Sequence, residues 1–205
     1  MSQPNLPPQP DRIETQRLVL RRYLPTDAPS VAEGLAPGEM AWRLGRVPHP
    51  YTVDHAREFL ASQGTKPDED GHAITLEDGT LIGACALKWR SPLADPMAER
   101  MPETTTIGYW IGLPYWGQGF ASEAVAAKLA EHFARGGDAV TAVVFADNPA
   151  SLRVLEHVGF RQIGASRDRN MVRPEATDVA ICQCEPTDFA GARWNLDLAM
   201  GADAV

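Results

Sequence analysis

From Arg17 to Tyr23 the chain reads RLVLRRY, with apolar and polar residues alternating, which predicts a first strand with one face in the core. PTDAPSVAEGLA follows, with Thr26 or Asp27 placed to cap a helix. GEMAWRLGRVPHPY shows no clear period. From Thr52 to Gln63 the pattern turns helical: Thr52 caps, and Ala56, Phe59 and Leu60 share a face. GHAITLEDGTLIGACALKWR predicts two strands around the hairpin pair Asp78-Gly79. SPLADPMAERMPE has three prolines and no period, and reads as a mobile surface loop.

The second half changes character. TTTIGYWIGL is β-branched and aromatic-rich, as a strand would be. A long helix follows, with Val125, Leu129 and Phe133 at four-residue spacing and Gly136-Gly137 to end it. DAVTAVVFA is a nearly continuous apolar run, the pattern of a strand buried on both faces. NPASLRVLEHVGF is a short helix: Asn148 caps it, Pro149 occupies its first turn and Gly159 stops it. FRQIGAS and TDVAICQCE read as closing strands. The fold class is therefore mixed α+β, with hairpins early and a strand–helix–strand–helix stretch late. The expected organisation is a flexible tail over 1–11, one domain over 12–190 and a C-terminal extension over 191–205.

Composition narrows the function. Twenty-seven acidic residues against 19 basic ones leave a net charge of −8. Such a surface does not attract nucleic acid or anionic membrane, where affinity comes from clustered Lys and Arg. It would steer a cationic partner instead. No apolar run is long enough to span a membrane. The N-terminus is proline-rich and lacks a basic start and an apolar stretch, so it does not read as a secretory signal. Cys85, Cys182 and Cys184 read as reduced thiols on strands, the expected location being the cytoplasm. The Cys-x-Cys pair has no further ligands nearby, and no metal is expected.

At the joint between the aromatic strand and the long helix stands WGQGFAS, where Gly117, Gly119 and Ala121 alternate with Gln118 and Phe120. Helix N-termini expose unpaired N–H groups and carry partial positive charge. Small residues there let an anion such as a pyrophosphate come close to the backbone. A plain strand–turn–helix joint accounts for the glycines as well. The P-loop Lys-Ser/Thr ending and the GxGxxG spacing are both missing.

The larger pattern is more specific. GYWIGLPYWGQGFASEA, then ADNPASLRVLEHVGF, with RLVLRRYLPTDA near the start, resembles the GNAT family of acyl-CoA N-acyltransferases over about residues 12 to 185. It is most similar to the branch of ribosomal-protein N-terminal acetyltransferases. The resemblance implies three layers: a splayed, mostly antiparallel central sheet flanked by helices. Acetyl-CoA would enter a wedge between TTTIGYWIGL and DAVTAVVFA. The family's pyrophosphate pattern Q/R-x-x-G-x-G/A maps onto Trp116, Gly117, Gln118, Gly119, Phe120 and Ala121, with Trp116 departing from Gln or Arg. Ser122 would add a hydroxyl contact. Tyr109 and Ile111 would lie along the pantetheine arm, with the Ile111 N–H polarising the acetyl carbonyl. Plain strand packing is the simpler account of both.

The implied activity is direct transfer of an acetyl group to a primary amine, on a protein N-terminus or a small molecule, through a tetrahedral intermediate. Many family members protonate the departing thiolate with a tyrosine at the position of Leu155. Here Ser151, three residues after Asn148, is the substitute, or else a first-turn serine that only satisfies the backbone. Asn148 would also reach the coenzyme. Glu103 is the candidate base, directly or through water, or else a surface residue at a strand start. His49 and Tyr115 are weaker polar candidates, and Arg153 would meet a coenzyme phosphate or else is a solvated helix arginine. Two other accounts stand beside the enzyme: an acyl-CoA-binding sensor without catalysis, and a nucleotide-phosphate binder using the same turn. Exposed strands in this fold often pair, which allows a homodimer.

Overall fold

Among the residues described, eight strands pair in the order β1-β2-β3-β4-β5-β6-β8-β7. The structure, a computed structural model, describes residues 10–63, 65, 68–90 and 104–190. The strands are β1 (Arg12–Glu14), β2 (Leu18–Arg21), β3 (Glu69–Leu76), β4 (Leu81–Arg90), β5 (Thr104–Ile111), β6 (Val140–Phe145), β7 (Arg161–Asp168) and β8 (Thr177–Cys184). Every pairing is antiparallel except β5 with β6. The helices are α1 (Ala28–Leu35), α2 (Gly38–Arg43), α3 (Val53–Ser62), α4 (Phe120–Ala134) and α5 (Pro149–Val158). This is the mixed, mostly antiparallel sheet flanked by helices that the sequence led us to expect.

Side chains alternate across β5 and so divide the core. Ile107, Tyr109 and Ile111 pack with Val125 and Leu129 of α4 and Leu155 of α5. Trp110, between Tyr109 and Ile111, packs instead with Val31, Leu35, Met40 and Ala56 of α1–α3. The two helix groups therefore cover opposite faces of the sheet.

Local signals mostly hold. The Thr52 hydroxyl accepts the His55 N–H at 3.3 Å and caps α3. Asn148 Oδ1 accepts the Ser151 N–H at 3.2 Å and caps α5. The cap expected for α1 does not form. Pro25–Asp27 make a short 3-10 turn, and Asp27 faces back to take Arg21 through two hydrogen bonds of 2.8 Å. The partly buried Arg21 guanidinium outcompetes the helix amides because a paired, charge-assisted contact is stronger than hydrogen bonds to neutral N–H groups. The segment without a period contains α2, too short to display one. The loop expected over 91–103, with Glu103, lies outside the described residues, as does the C-terminal extension. Pro10 and Asp11 are held: the Pro10 carbonyl meets His72 Nε2 at 2.9 Å, and the Asp11 carbonyl accepts the Arg22 N–H at 3.1 Å.

One polar cluster sits inside the core. Lys128 of α4 is fully buried, ion-paired with Asp70 and 2.7 Å from His72 Nδ1. Arg22 pairs with the other Asp70 oxygen. With its Nε2 facing the Pro10 carbonyl and its Nδ1 facing the Lys128 ammonium, the His72 ring is held neutral. Burial, then Lys128, pushes it down to about 4.

Candidate active site

β5 and β6 touch at only two register pairs, Thr105 with Val140 and Thr106 with Thr141. Beyond them β5 stays paired with β4 up to Ile111, and β6 stays with β8 up to Phe145. The two strands part, and a wedge opens with one bare strand edge on each side. The Gly112 N–H reaches the Ile82 carbonyl across β4 at 2.8 Å. Hydrogen-bonding direction alternates along a strand, so the N–H groups of Tyr109 and Ile111 point the other way, into the wedge. The Ile111 carbonyl faces the same side and is taken by the Trp116 indole N–H at 2.5 Å. The Ile111 N–H is left as a donor facing the wedge.

At the end of β5 the chain turns through Leu113–Tyr115 into the glycine joint. Gly117 and Gly119 have φ of 74° and 81°, a left-handed conformation that costs little only without a Cβ. A Cβ built on Gly117 meets nothing within 4 Å. The first backbone bond of α4 is from the Glu123 N–H to the Gly119 carbonyl at 3.1 Å. The N–H groups of residues 117 to 122 therefore precede the ladder and, among the described residues, meet no acceptor. An open cradle of unpaired donors at the N-terminus of a 15-residue helix suits a pyrophosphate.

The cradle is braced by the opposite end of the chain. Buried Glu123 accepts from the Thr15 hydroxyl at 2.6 Å and from the Arg17 N–H at 3.0 Å. Arg17 pairs with Glu123, donates to the Gln118 carbonyl at 3.0 Å and lies over the Phe120 ring. No local pattern announces this brace, since its partners are more than a hundred residues apart.

The wedge opens into a cavity of about 980 Å³. Tyr109, Ile111, Trp116, Gly117, Gly119, Phe120, Ala121, Asn148 and Ser151 all reach it. Gln118 and Ser122 do not. Gln118 folds back onto the Pro114 carbonyl at 3.2 Å, and Ser122 is buried in the first turn of α4. Tyr115 and Arg153 line the cavity, whereas His49 does not. Across the wedge the Tyr109 phenol meets the Ser151 hydroxyl at 2.7 Å. Burial raises the Tyr109 phenol above its ordinary range, so it stays neutral. Leu155, one turn below Ser151, is in the core and offers no proton.

Helix α2 roofs the cavity from the Trp110 side. Asn170 donates to the carbonyls of Ala41, Trp42 and Leu44, and buried Arg173 joins the Trp42 carbonyl to the Asp147 carboxylate. Arg43 reaches down from this roof. Its guanidinium lies 5.2 Å from the Trp116 ring centroid and donates to Asn148 Oδ1 at 3.1 Å, linking the two lips of the wedge. Arg17, Arg43, Asn170 and Arg173 all escaped the sequence reading. Only Asn170 and Arg173 carried a faint signal, as polar residues in a loop between two strands.

The acetyltransferase (GNAT) domain model matches residues 17–161. The uncharacterized N-acetyltransferase YoaA of Bacillus subtilis (strain 168) is 44% identical over 160 residues, covering 76% of this chain and 85% of that protein. Two solved structures share the fold. A GNAT-family acetyltransferase from Bacillus anthracis has a TM-score of 0.71 at 21% identity, covering 86% of this chain and 99% of its own. RimJ of Mycobacterium smegmatis, in complex with CoA-disulfide, has a TM-score of 0.71 at 20% identity, covering 86% and 88%. The chain belongs to the acetyltransferase (GNAT) family and is an N-acetyltransferase.

Proposed function

We infer that the protein transfers the acetyl group of acetyl-CoA directly to a primary amine, on a protein N-terminus or a small molecule. The observation that carries this is the parting of β5 and β6 after Thr106 and Thr141, directly above the open N–H cradle at Gly117–Ala121. A long, thin ligand with a pyrophosphate at one end fits that combination. RimJ of similar fold holds a coenzyme A derivative.

Acetyl-CoA supplies an activated thioester, and the chain supplies position, charge and protons. The backbone N–H groups from Gly117 to Ala121 hold the pyrophosphate, and Asn148 orients the arm. The Ile111 N–H donates to the carbonyl oxygen as it gains negative charge. Ser151 gives its hydroxyl proton to the departing sulfur and regains one, through solvent, from the proton removed from the amine. Tyr109 holds that hydroxyl in place. Glu103 is the proposed base that takes the amine proton, directly or through water. Gln118 and Ser122 serve the turn through their backbone N–H groups rather than their side chains.

A second account is a coenzyme-binding module without catalysis. Leu155, buried where many relatives place an acid, is the observation that favours it. One experiment separates the two. The protein is incubated with acetyl-CoA and a panel of peptides and small amines, and products are read by mass. Acetylated amines support the enzyme. A coenzyme-induced rise in Tm with no acetylated product supports the module.

A further inference from the structure

Arg43 is unusual among the arginines of this fold. Arg21, Arg22 and Arg173 each pair with a carboxylate. Arg43 is half-buried on the cavity wall, and its partners are a neutral amide oxygen and an aromatic face. Among the described residues it meets no carboxylate. One of its five N–H donors is used on Asn148, which leaves four without a partner among the described residues. A partly desolvated cation is most stable when an anion completes its shell.

The surrounding charge agrees. Arg153 and Arg169 line the same cavity, against Asp168. Glu69 and Lys88 are 3.6 Å apart and offset one another. The chain as a whole is acidic at −8, yet this wall is cationic. Overall charge pointed to a cationic acceptor. The wall points the other way.

Two anions could occupy such a place: the phosphates of the coenzyme, or an acidic group on the acceptor. The cradle at Gly117–Ala121 already provides donors for a pyrophosphate. It lies at the start of α4, on the face that carries Tyr109. Arg43 descends from α2, on the face that carries Trp110, and meets Trp116 and Asn148 at the wedge lips from that side. We propose that Arg43 binds a carboxylate on the acceptor, so that the substrate is an amine that carries an acidic group. This rests on the N-acetyl transfer above and names its substrate class. Arg43 is then the residue that sets specificity, by holding the carboxylate while the amine reaches the wedge.

The test uses acceptors in matched pairs that differ only in carboxylate against carboxamide: β-alanine and β-alaninamide, γ-aminobutyrate and γ-aminobutyramide, and the C-terminally amidated dipeptides Ser-Asp and Ser-Asn. Acetyl transfer is measured with acetyl-CoA. Binding of the same amines to the CoA-loaded protein, and of CoA itself, is measured by calorimetry. The expected result is a kcat/KM preference for the carboxylate member of at least about tenfold. Arg43→Gln, which keeps a donor for Asn148 and removes the charge, should erase that preference through KM while CoA affinity stays within about twofold. Arg43→Lys should restore part of it. Equal use of both members by the unaltered protein overturns the proposal and leaves acetyl transfer standing. A carboxylate preference that survives in Arg43→Gln while CoA affinity falls assigns Arg43 to the coenzyme phosphates and also overturns it. If no amine is acetylated, the transfer reading fails, and the calorimetry still decides: tighter binding of the carboxylate members that depends on Arg43 supports the anion site, and equal binding ends it.

Discussion

The Tyr109 phenol and the Ser151 hydroxyl stand 2.7 Å apart, one on each side of the wedge between β5 and β6. Neither residue is near the other in sequence. Tyr109 OH also lies 3.3 Å from the Ser151 carbonyl, so the phenol is placed against the first turn of α5. A hydroxyl held this way can give its own proton to a departing sulfur without first searching for an orientation.

Ser151→Ala should lower kcat at least roughly tenfold and leave CoA affinity nearly intact, since a positioned acid typically contributes about 10²–10⁴. Tyr109→Phe removes only the orienting bond. A hydrogen bond worth about 1 kcal/mol predicts a fall of roughly fivefold. Steady-state kinetics on both variants checks this. Wild-type turnover in Ser151→Ala would reduce Ser151 to a helix residue.

Gly119→Asp should abolish CoA binding, because it places negative charge in the cradle. Its φ of 81° adds backbone strain for any L side chain, costing about 1–3 kcal/mol. Gly119→Ala separates the effects: it carries the strain without the charge, and its new Cβ meets Arg17 only at 3.5 Å. The expected order of CoA affinity by calorimetry is wild type, then Ala, then Asp far below. Unchanged affinity in a folded Gly119→Asp protein would remove the phosphate from this turn.

Acid should destabilise the fold through His72. Its folded form resists protonation, being pushed down to about 4 by burial and then by Lys128, with Asp70 opposing and Arg22 adding to the shift. Its ordinary value is 6.5. Between those values the unfolded chain binds more protons, so stability rises with pH across the window and is lost as pH falls through it. Asp70, held below its usual range against its own burial by Lys128 and Arg22, adds a further loss below pH 3.8. Urea midpoints at pH 7 and 4.5 should differ clearly for the wild type and less for His72→Gln.

Arg173→Ala should loosen the roof. It removes the Asp147 pair and the bonds to the Trp42 carbonyl, and hydrogen bonds to charged groups are worth about 1.5–3 kcal/mol each. Tm should fall, and the KM of the acceptor should rise more than the Kd of CoA, because α2 carries Arg43 and the cradle does not depend on it. An equal loss in both would mean that the clamp supports the whole wedge.

The legible parts of this protein were those whose physics is local. A cap, a turn or a helix stop depends on groups within about four residues. So Asn148 with Ser151, Thr52 with His55, and the glycines ahead of α4 could be read from the chain. The family pattern then extended these signals to the whole sheet. The α1 cap was misread because its decisive partner, Arg21, belongs to a strand outside the local window.

The sequence by itself determined that a glycine turn and a helix start follow an aromatic strand and that a capped serine opens α5. It could not show that Tyr109 would meet that serine, that Arg17 would brace the cradle through Glu123, or that Arg43 would hang across the wedge lips between Trp116 and Asn148. Those relations join residues 42 to 106 positions apart, or depend on where β5 leaves β6. Period and propensity report which face a residue shows, not what stands opposite it. Only the register of the sheet and the packing of α2 over its open end chose the partners, because a contact across a fold is set by geometry that no short stretch of chain contains.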